Sequence, residues 1–343
     1  MEFGQVSLAD SRNPSDPLVS VVICTKGRPA VLARCIDSVL STSYDSYEIV
    51  VVDNSASPQD ESAAYSSGLT RYVWEGKPGL GFARAAGIHS ARGEIVAMTD
   101  DDCVVDRGWL HALVAGFREE DVLCCTGQVA AFEARTPAQI VLETFCNYSK
   151  GQAPKLFGGP ADARMYLMPQ EVGTGANMAF RRRAFDLVGS FDGALGTGTP
   201  AFGGEDLDVF SRILRIGGRI LYQPGAVVYH EHPRDYDQLR RNFFRNGIGY
   251  NAFMTKLALT VRKPEAFKAA IDRTRFWYGW TKQSLKYRLL GRPHMPIDLQ
   301  LAYLFGSLFG PIGYLRSARK ARRLLAASSL ATRNLEIGEE SLR

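Results

Sequence analysis

Two rhythms of apolar residues alternate along the first two thirds of the chain. Leu18 to Cys24 is a short continuous apolar run rich in β-branched residues, the pattern of a parallel strand buried on both faces. Residues 29–41 then set Val31, Leu32, Cys35, Ile36, Val39 and Leu40 at helical spacing, with Pro29 in the first turn. Runs at 48–53, 94–99 and 121–130 predict further strands, and 71–74 a weaker one. Helices are expected at 81–91, 107–118, 137–149, 182–188 and 206–216. A strand is expected within 173–180 and two more at 219–222 and 226–230, with a Gly/Pro loop before residue 172. This alternation predicts βα units around a mostly parallel sheet. Ligands of such sheets sit beyond the carboxyl ends of the strands. Three polar segments follow apolar strands there: Thr25–Arg28, Asp53–Ser55 and Asp100–Asp102.

Composition excludes a disordered, collagen-like or disulfide-stapled chain: of 343 residues 45% are hydrophobic and 22% charged. The net charge of +5 conceals an asymmetry. Val261 to Arg343 holds 16 basic and 6 acidic residues, whereas the rest holds 25 and 30. Within the basic end, residues 262–292 interleave Phe276, Trp277, Tyr278, Trp280 and Tyr287 with cations. Leu299–Leu315 is uncharged, and Arg316, Arg319, Lys320, Arg322 and Arg323 follow it. Two readings stand: residues 262–325 attach to a membrane surface, or they form a helical subdomain buried against the core. No RNA or DNA motif accompanies the basic end, so nucleic acid is not an expected partner. The six cysteines lack C-x-x-C spacing, and the N-terminus lacks the apolar stretch of a secretory signal. The expected location is cytoplasmic, with peripheral contact at the inner face of the plasma membrane.

The acidic motifs carry the chemistry. Asp100-Asp101-Asp102 stands at a strand end, where three adjacent carboxylates need a compensating charge. A hard divalent cation, Mn2+ or Mg2+, supplies it. His230 and His232 alternate onto one face of a strand end, and His230 is the preferred further ligand. Five glycines and one proline fill residues 192–204, a mobile loop directly before Glu205-Asp206. That pair is either a helix start favoured by the dipole or a general base for a hydroxyl. Gln238, Arg240, Arg241 and Arg245 stand on a basic amphipathic helix over 235–250, suited to an acceptor or donor phosphate or to solvent.

In this order and spacing the motifs resemble the family 2 glycosyltransferases of the GT-A fold, over roughly residues 18–250. The residues are Cys24-Thr25-Lys26-Gly27-Arg28-Pro29, Val51-Val52-Asp53-Asn54-Ser55, Gly81-Phe82-Ala83-Arg84, Asp100-Asp101-Asp102, Gly175-Ala176-Asn177-Met178, Gly189-Ser190-Phe191-Asp192, Gly203-Gly204-Glu205-Asp206 and His230. Ala85 departs from the asparagine that often follows the family's arginine. The resemblance implies a Rossmann-like, mostly parallel sheet flanked by helices, with a mainly helical C-terminal extension. It implies a flexible tail over 1–17 and a catalytic domain over 18–250, divided into a nucleotide-binding half (18–130) and an acceptor half (131–250). The extension is then 251–325 and a tail 326–343. Thr25, Arg28, Asp53, Arg84 and Asp100 would hold the donor, with Asp101 and Asn177 in the same motifs. Asp102 and His230 would hold the metal, Asp206 would be the base and Glu205 would position the acceptor.

The implied reaction is an inverting, metal-dependent transfer of a sugar from a nucleotide-diphosphate sugar to a hydroxyl on a glycan, a lipid-linked acceptor or a small molecule. A uridine diphosphate donor is the commoner case, with guanosine and thymidine diphosphates open. Cell-surface glycan, polysaccharide, glycolipid or secondary-metabolite synthesis would use it. A catalytically inactive binding module has no need for both base and metal ligands. A phosphotransferase wants an aspartate nucleophile where Cys24-Thr25 stands. A processive synthase wants several membrane spans and a Q-x-x-R-W motif, and Gln238-Leu-Arg-Arg-Asn lacks the tryptophan.

Overall fold

The computed structural model describes residues 16–58, 68–146, 148–159, 162–261 and 264–340. The tail expected over 1–17 lies outside the described residues except for its last two.

The first apolar run forms β1 (Val19–Thr25). Helix α1 (Pro29–Leu40) starts on Pro29 and buries Leu32, Cys35, Ile36 and Val39. Then come β2 (Tyr47–Asp53), β3 (Thr70–Trp74), α2 (Leu80–Ser90), β4 (Ile95–Asp100) and β5 (Cys103–Val105). These are followed by α3 (Trp109–Ala115), β6 (Val122–Ala131), α4 (Pro137–Cys146), β7 (Lys155–Gly158) and β8 (Asn177–Arg181). The chain continues with α5 (Arg183–Val188), α6 (Glu205–Arg215), β9 (Arg219–His230), α7 (Tyr236–Val261), α8 (Pro264–Leu289) and α9 (Ile297–Glu340).

The strands form one sheet in the order β3-β2-β1-β4-β8-β6-β9-β5, with β7 also paired to β9. β3, β2, β1 and β4 are mutually parallel. β8 is antiparallel to both β4 and β6, and β6 runs parallel to β9. Alternate residues of β1 and β2 enter opposite cores. Val19, Val21, Ile23, Ile49 and Val51 pack with α1 and α3. Val22, Val50 and Val52 pack with Ala83 and Ile88 of α2 and with Val209, Phe210 and Ile213 of α6. Burial on both faces is why these strands read as unbroken apolar runs.

Some elements differ from the local patterns. β9 is one strand where two were expected, with a register shift opposite Gly127 and Gln128; Pro224 within it has no N–H to give the ladder. β7 lies in the expected loop, because Lys155–Gly158 finds a partner in the distant segment Arg219–Tyr222. α7 runs unbroken through residue 250, and α9 continues as helix from 326 to 340, where a tail was expected.

The C-terminal helices pack on the body and on each other. Leu239 and Phe243 of α7, Trp277 of α8, and Leu299 and Tyr303 of α9 share a cluster with Ala138 and Leu142 of α4. Trp277 stacks on Tyr303 with ring centroids 4.1 Å apart. Among the described residues no helix is long and apolar enough to cross a membrane.

Candidate active site

β1, β4 and β9 end at one cleft of about 610 Å3, a volume ordinary for a small-molecule site. Thr25, Arg28, Asp100, Asp101, Asp102 and His230 all line it. Asp101 and Asp102 make the turn between β4 and β5. β5 then pairs antiparallel with β9, Cys103 opposite His230, and Glu231 N–H donates to Asp102 O at 3.0 Å. Strand pairing alone therefore brings His230 beside the aspartate turn.

Each aspartate has a different partner. Asp100 Oδ1 accepts from Arg84 Nη2 at 3.0 Å. Asp101 is buried and accepts from Thr25 Oγ1 at 2.7 Å, from Arg28 Nε at 3.1 Å and from Arg28 Nη2. Burial pushes its pKa up to about 6 despite these donors. Asp102 Oδ2 accepts from Arg28 Nη1 at 3.0 Å. Its Oδ1 is buried, has no hydrogen-bond donor and faces His230 Nε2 at 3.3 Å. Burial opposes ionisation of Asp102, but the neighbouring imidazole and the Arg28 guanidinium outweigh it and hold the pKa down at about 2. On His230, burial opposes the proton and the Asp102 charge outweighs it, so its pKa is raised.

Arg84 is a buried strut beneath these groups. Nη1 donates to Glu205 Oε1 at 2.8 Å, and Nη2 donates to Asp100 Oδ1 and to Gly175 O, each at 3.0 Å. It thereby ties the end of β4 to the start of α6. Burial pushes Glu205 up to about 7, with the Arg84 charge opposing and the Asp206 charge adding. Asp206 opens the same helix; Gly175 N–H and Leu207 N–H each donate to one of its oxygens at 2.8 Å. A Cβ at Gly175 would lie 2.7 Å from Arg84 Nη1 and 3.1 Å from Asp206 Oδ2, so a side chain there would push on both groups. Gly204, in the left-handed region at φ 87°, turns the glycine loop into α6.

Other predicted residues stand apart from the cleft. Arg84, Glu205 and Asp206 adjoin it through Asp100 and do not line it. Asp53 is fully buried, accepting from Tyr72 Oη at 2.7 Å and Ser55 N–H at 2.9 Å. Asn177 is also fully buried. Its Oδ1 accepts from Trp109 Nε1 at 2.9 Å, and its Nδ2 donates to Gln128 O and Ala226 O at 2.8 Å. It ties β8 to β6 and β9. Arg240 and Arg241 are exposed, paired with Asp237 and Asp235, while Arg245 lies over the Phe202 ring at 5.6 Å.

The cleft also recruits Glu133, Thr197, Arg234 and Asn242, which carry no sequence signal of their own, and Asn54, which carried one in its place directly after a strand-end aspartate. Its Oδ1 accepts from Gly79 N–H at 2.8 Å and its Nδ2 donates to Glu75 O and Lys77 O, which shapes the loop entering α2. His232 lines the cleft with only 4% of its surface exposed and neither ring nitrogen hydrogen-bonded. Burial and the nearby His230 hold its pKa down at about 4.

Residues 20–189 match the family model described as Glycosyl transferase family 2. The chain belongs to that family. Among family relatives, the pre-mycofactocin glycosyltransferase of Mycobacterium tuberculosis is 27% identical over 270 residues, 76% of this chain and 52% of the relative. The glucosyl-dolichyl phosphate glucuronosyltransferase of Haloferax volcanii is 26% identical over 242 residues, 67% of this chain and 75% of the relative. The chain spans about half the length of the curated relatives it matches first. A mannosyltransferase of Pyrobaculum calidifontis, solved with GDP-Man and Mn2+, superposes with a TM-score of 0.50 at 19% identity. That match covers 93% of this chain and 81% of the mannosyltransferase. The likeness confirms the GT-A fold of this family 2 chain.

The residues fit the divalent cation that the family implies. Ligand atoms of Asp102, Cys103 and His230 all lie within 4.8 Å of one another. Burial pushes the Cys103 thiol well up, so it stays protonated and is a poor donor to a hard cation. The orphaned Asp102 oxygen and the His230 imidazole remain.

Proposed function

We propose that the protein transfers a sugar from a nucleotide-diphosphate sugar to an acceptor hydroxyl, inverting the anomeric centre, with a uridine diphosphate donor favoured. The observation that carries this reading is Asp102 Oδ1: a buried carboxylate oxygen without a donor, facing His230 across 3.3 Å in the cleft wall. Asp102 and His230 would hold Mn2+ or Mg2+, which supplies positive charge beside the leaving diphosphate.

The chain's own groups perform the rest. Thr25 and Arg28 hold Asp101 in place and present the cleft wall to the nucleotide. Asp206, half-buried beside the cleft, would take the proton of an acceptor hydroxyl seated at the cleft's edge while that oxygen bonds to the anomeric carbon and the sugar–phosphate bond breaks on the opposite side. A single displacement needs no covalent sugar–enzyme intermediate. Arg84 and Glu205 act through others: they fix Asp100 and the first turn of α6, and so the place of Asp206. The mannosyltransferase bound to GDP-Man and a GalNAc-T7 structure with UDP, GalNAc and Mn2+ support this class of donor and metal.

Calorimetric titration of nucleoside diphosphates, with and without Mn2+, tests the reading on wild type and Asp102→Ala. One nucleotide is expected to bind in a Mn2+-dependent way, with binding lost in the variant. If no nucleotide binds with Mn2+ present, the proposal is wrong.

A further inference from the structure

From residue 306 to 313 helix α9 carries its amphipathicity inside out. Its inner side there is small. A Cβ added at Gly306, Gly310 or Gly313 would lie 2.0 Å from Phe244 O, 2.4 Å from Asn251 Cβ and 2.8 Å from Pro200 O, respectively. Its outer side is large. Leu301, Phe305, Leu308, Ile312 and Leu315 recur every three or four residues and are all exposed, Phe305 by 61% and Leu308 by 68%. A helix surrounded by water turns its large apolar residues to the core. Small residues inward and large ones outward is how helices pack where the surroundings are apolar. A contiguous exposed apolar stripe marks an interaction surface.

Charge selects the partner. Lys286, Arg288 and Arg292 precede the stripe, and Arg316, Arg319, Lys320, Arg322 and Arg323 follow it, all exposed. A second copy laid along the stripe would set one basic end against another in either orientation. An anionic lipid surface accepts the stripe and both basic ends together. Since no described helix is long and apolar enough to cross a membrane, α9 lies on that surface.

We propose that the outward face of α9 seats the protein on an anionic bilayer, its apolar stripe in the interface and its arginines on headgroup phosphates. The seat adjoins the glycine loop: Gly313 abuts Pro200, and Tyr314 packs on Leu195 and Ala201, in the segment that leads to Glu205-Asp206. Resting on the transferase reading, the proposal deepens it: the acceptor hydroxyl is carried on a lipid.

Flotation of the full-length protein with phosphatidylcholine–phosphatidylglycerol vesicles tests the seat, with pure phosphatidylcholine vesicles as the neutral arm. Wild type is expected to float with the anionic vesicles and far less with the neutral ones. The double variant Phe305→Ser, Leu308→Ser should lose at least about tenfold in partitioning. Both side chains are exposed, so the α9–α7 contact survives in it. Equal flotation of wild type and variant overturns the proposal. So does a wild type that ignores vesicles and runs as a dimer that the variant breaks, which would assign the face to a second copy. Mn2+-dependent nucleotide binding, measured on the same preparations, reports separately on the transferase reading.

Discussion

Two adjacent carboxylates, Glu205 and Asp206, have different surroundings. Asp206 accepts hydrogen bonds from two backbone N–H groups, whereas Glu205 is buried and accepts from the Arg84 guanidinium. Asp206→Asn should keep nucleotide affinity and lose about a thousandfold in turnover; unchanged turnover would remove Asp206 as the base. Glu205 titrates near 4.5 when unfolded and at about 7 in the fold. Between those values the folded chain keeps a proton that the unfolded chain has lost. Its stabilising contribution is therefore full below pH 4.5 and lost as pH rises through about 7. The Tm of Glu205→Gln should fall less steeply than that of wild type across this window; parallel profiles would exclude Glu205 as the titrating group. Its pairing with Arg84 was not legible, because burial and partnership depend on residues distant in sequence. The aspartate run was legible as an acidic strand end at a ligand site, but that Asp100 and Asp101 accept from Arg84, Thr25 and Arg28 was not. Asn177 shows the opposite case. Its motif pointed to the donor, but its amide spends its hydrogen bonds on Trp109 of α3 and on the strands β6 and β9.

At the scale of elements, period decided most. Strands buried on both faces and the first helices are visible because their apolar residues recur at spacings that only one local structure buries. β7 was not visible, because Lys-Leu-Phe-Gly is a strand only by virtue of β9. α9 was ambiguous for a related reason: its uncharged stretch read either as a membrane attachment or as a helix buried on the core, and only the fold shows that its glycines admit α7. Gly306→Leu would drive a side chain into Phe244 O, 2.0 Å from the new Cβ. It should cost about 2 kcal/mol or more in urea unfolding, and a silent substitution would refute the close packing described for these helices.

Folding, cleft and ligand are linked at the scale of the whole molecule. Metal-dependent nucleotide binding to the native state alone raises stability by about 2.7 kcal/mol at a ligand concentration about a hundredfold above Kd. For a chain of this size that is a rise in Tm of several degrees, on the order of 5 °C. Thermal melts should show the rise with nucleotide and Mn2+ together. It should vanish on chelation and be absent in Asp102→Ala. A rise that survives chelation would place the nucleotide elsewhere than at Asp102 and His230.

The sequence by itself determined the βα order, the acidic strand end, the glycine loop before Glu205-Asp206 and the basic, apolar C-terminal third. Each is a local pattern whose cost or benefit is set by neighbours in the chain. Tertiary structure alone decided which carboxylate oxygen lacks a donor, that Arg84 joins β4 to α6, and that β5 sets His230 against Asp102. It also decided which side of α9 faces water. These depend on pairings between segments far apart in sequence, and burial, desolvation and orphaned polar atoms exist only once those segments have met.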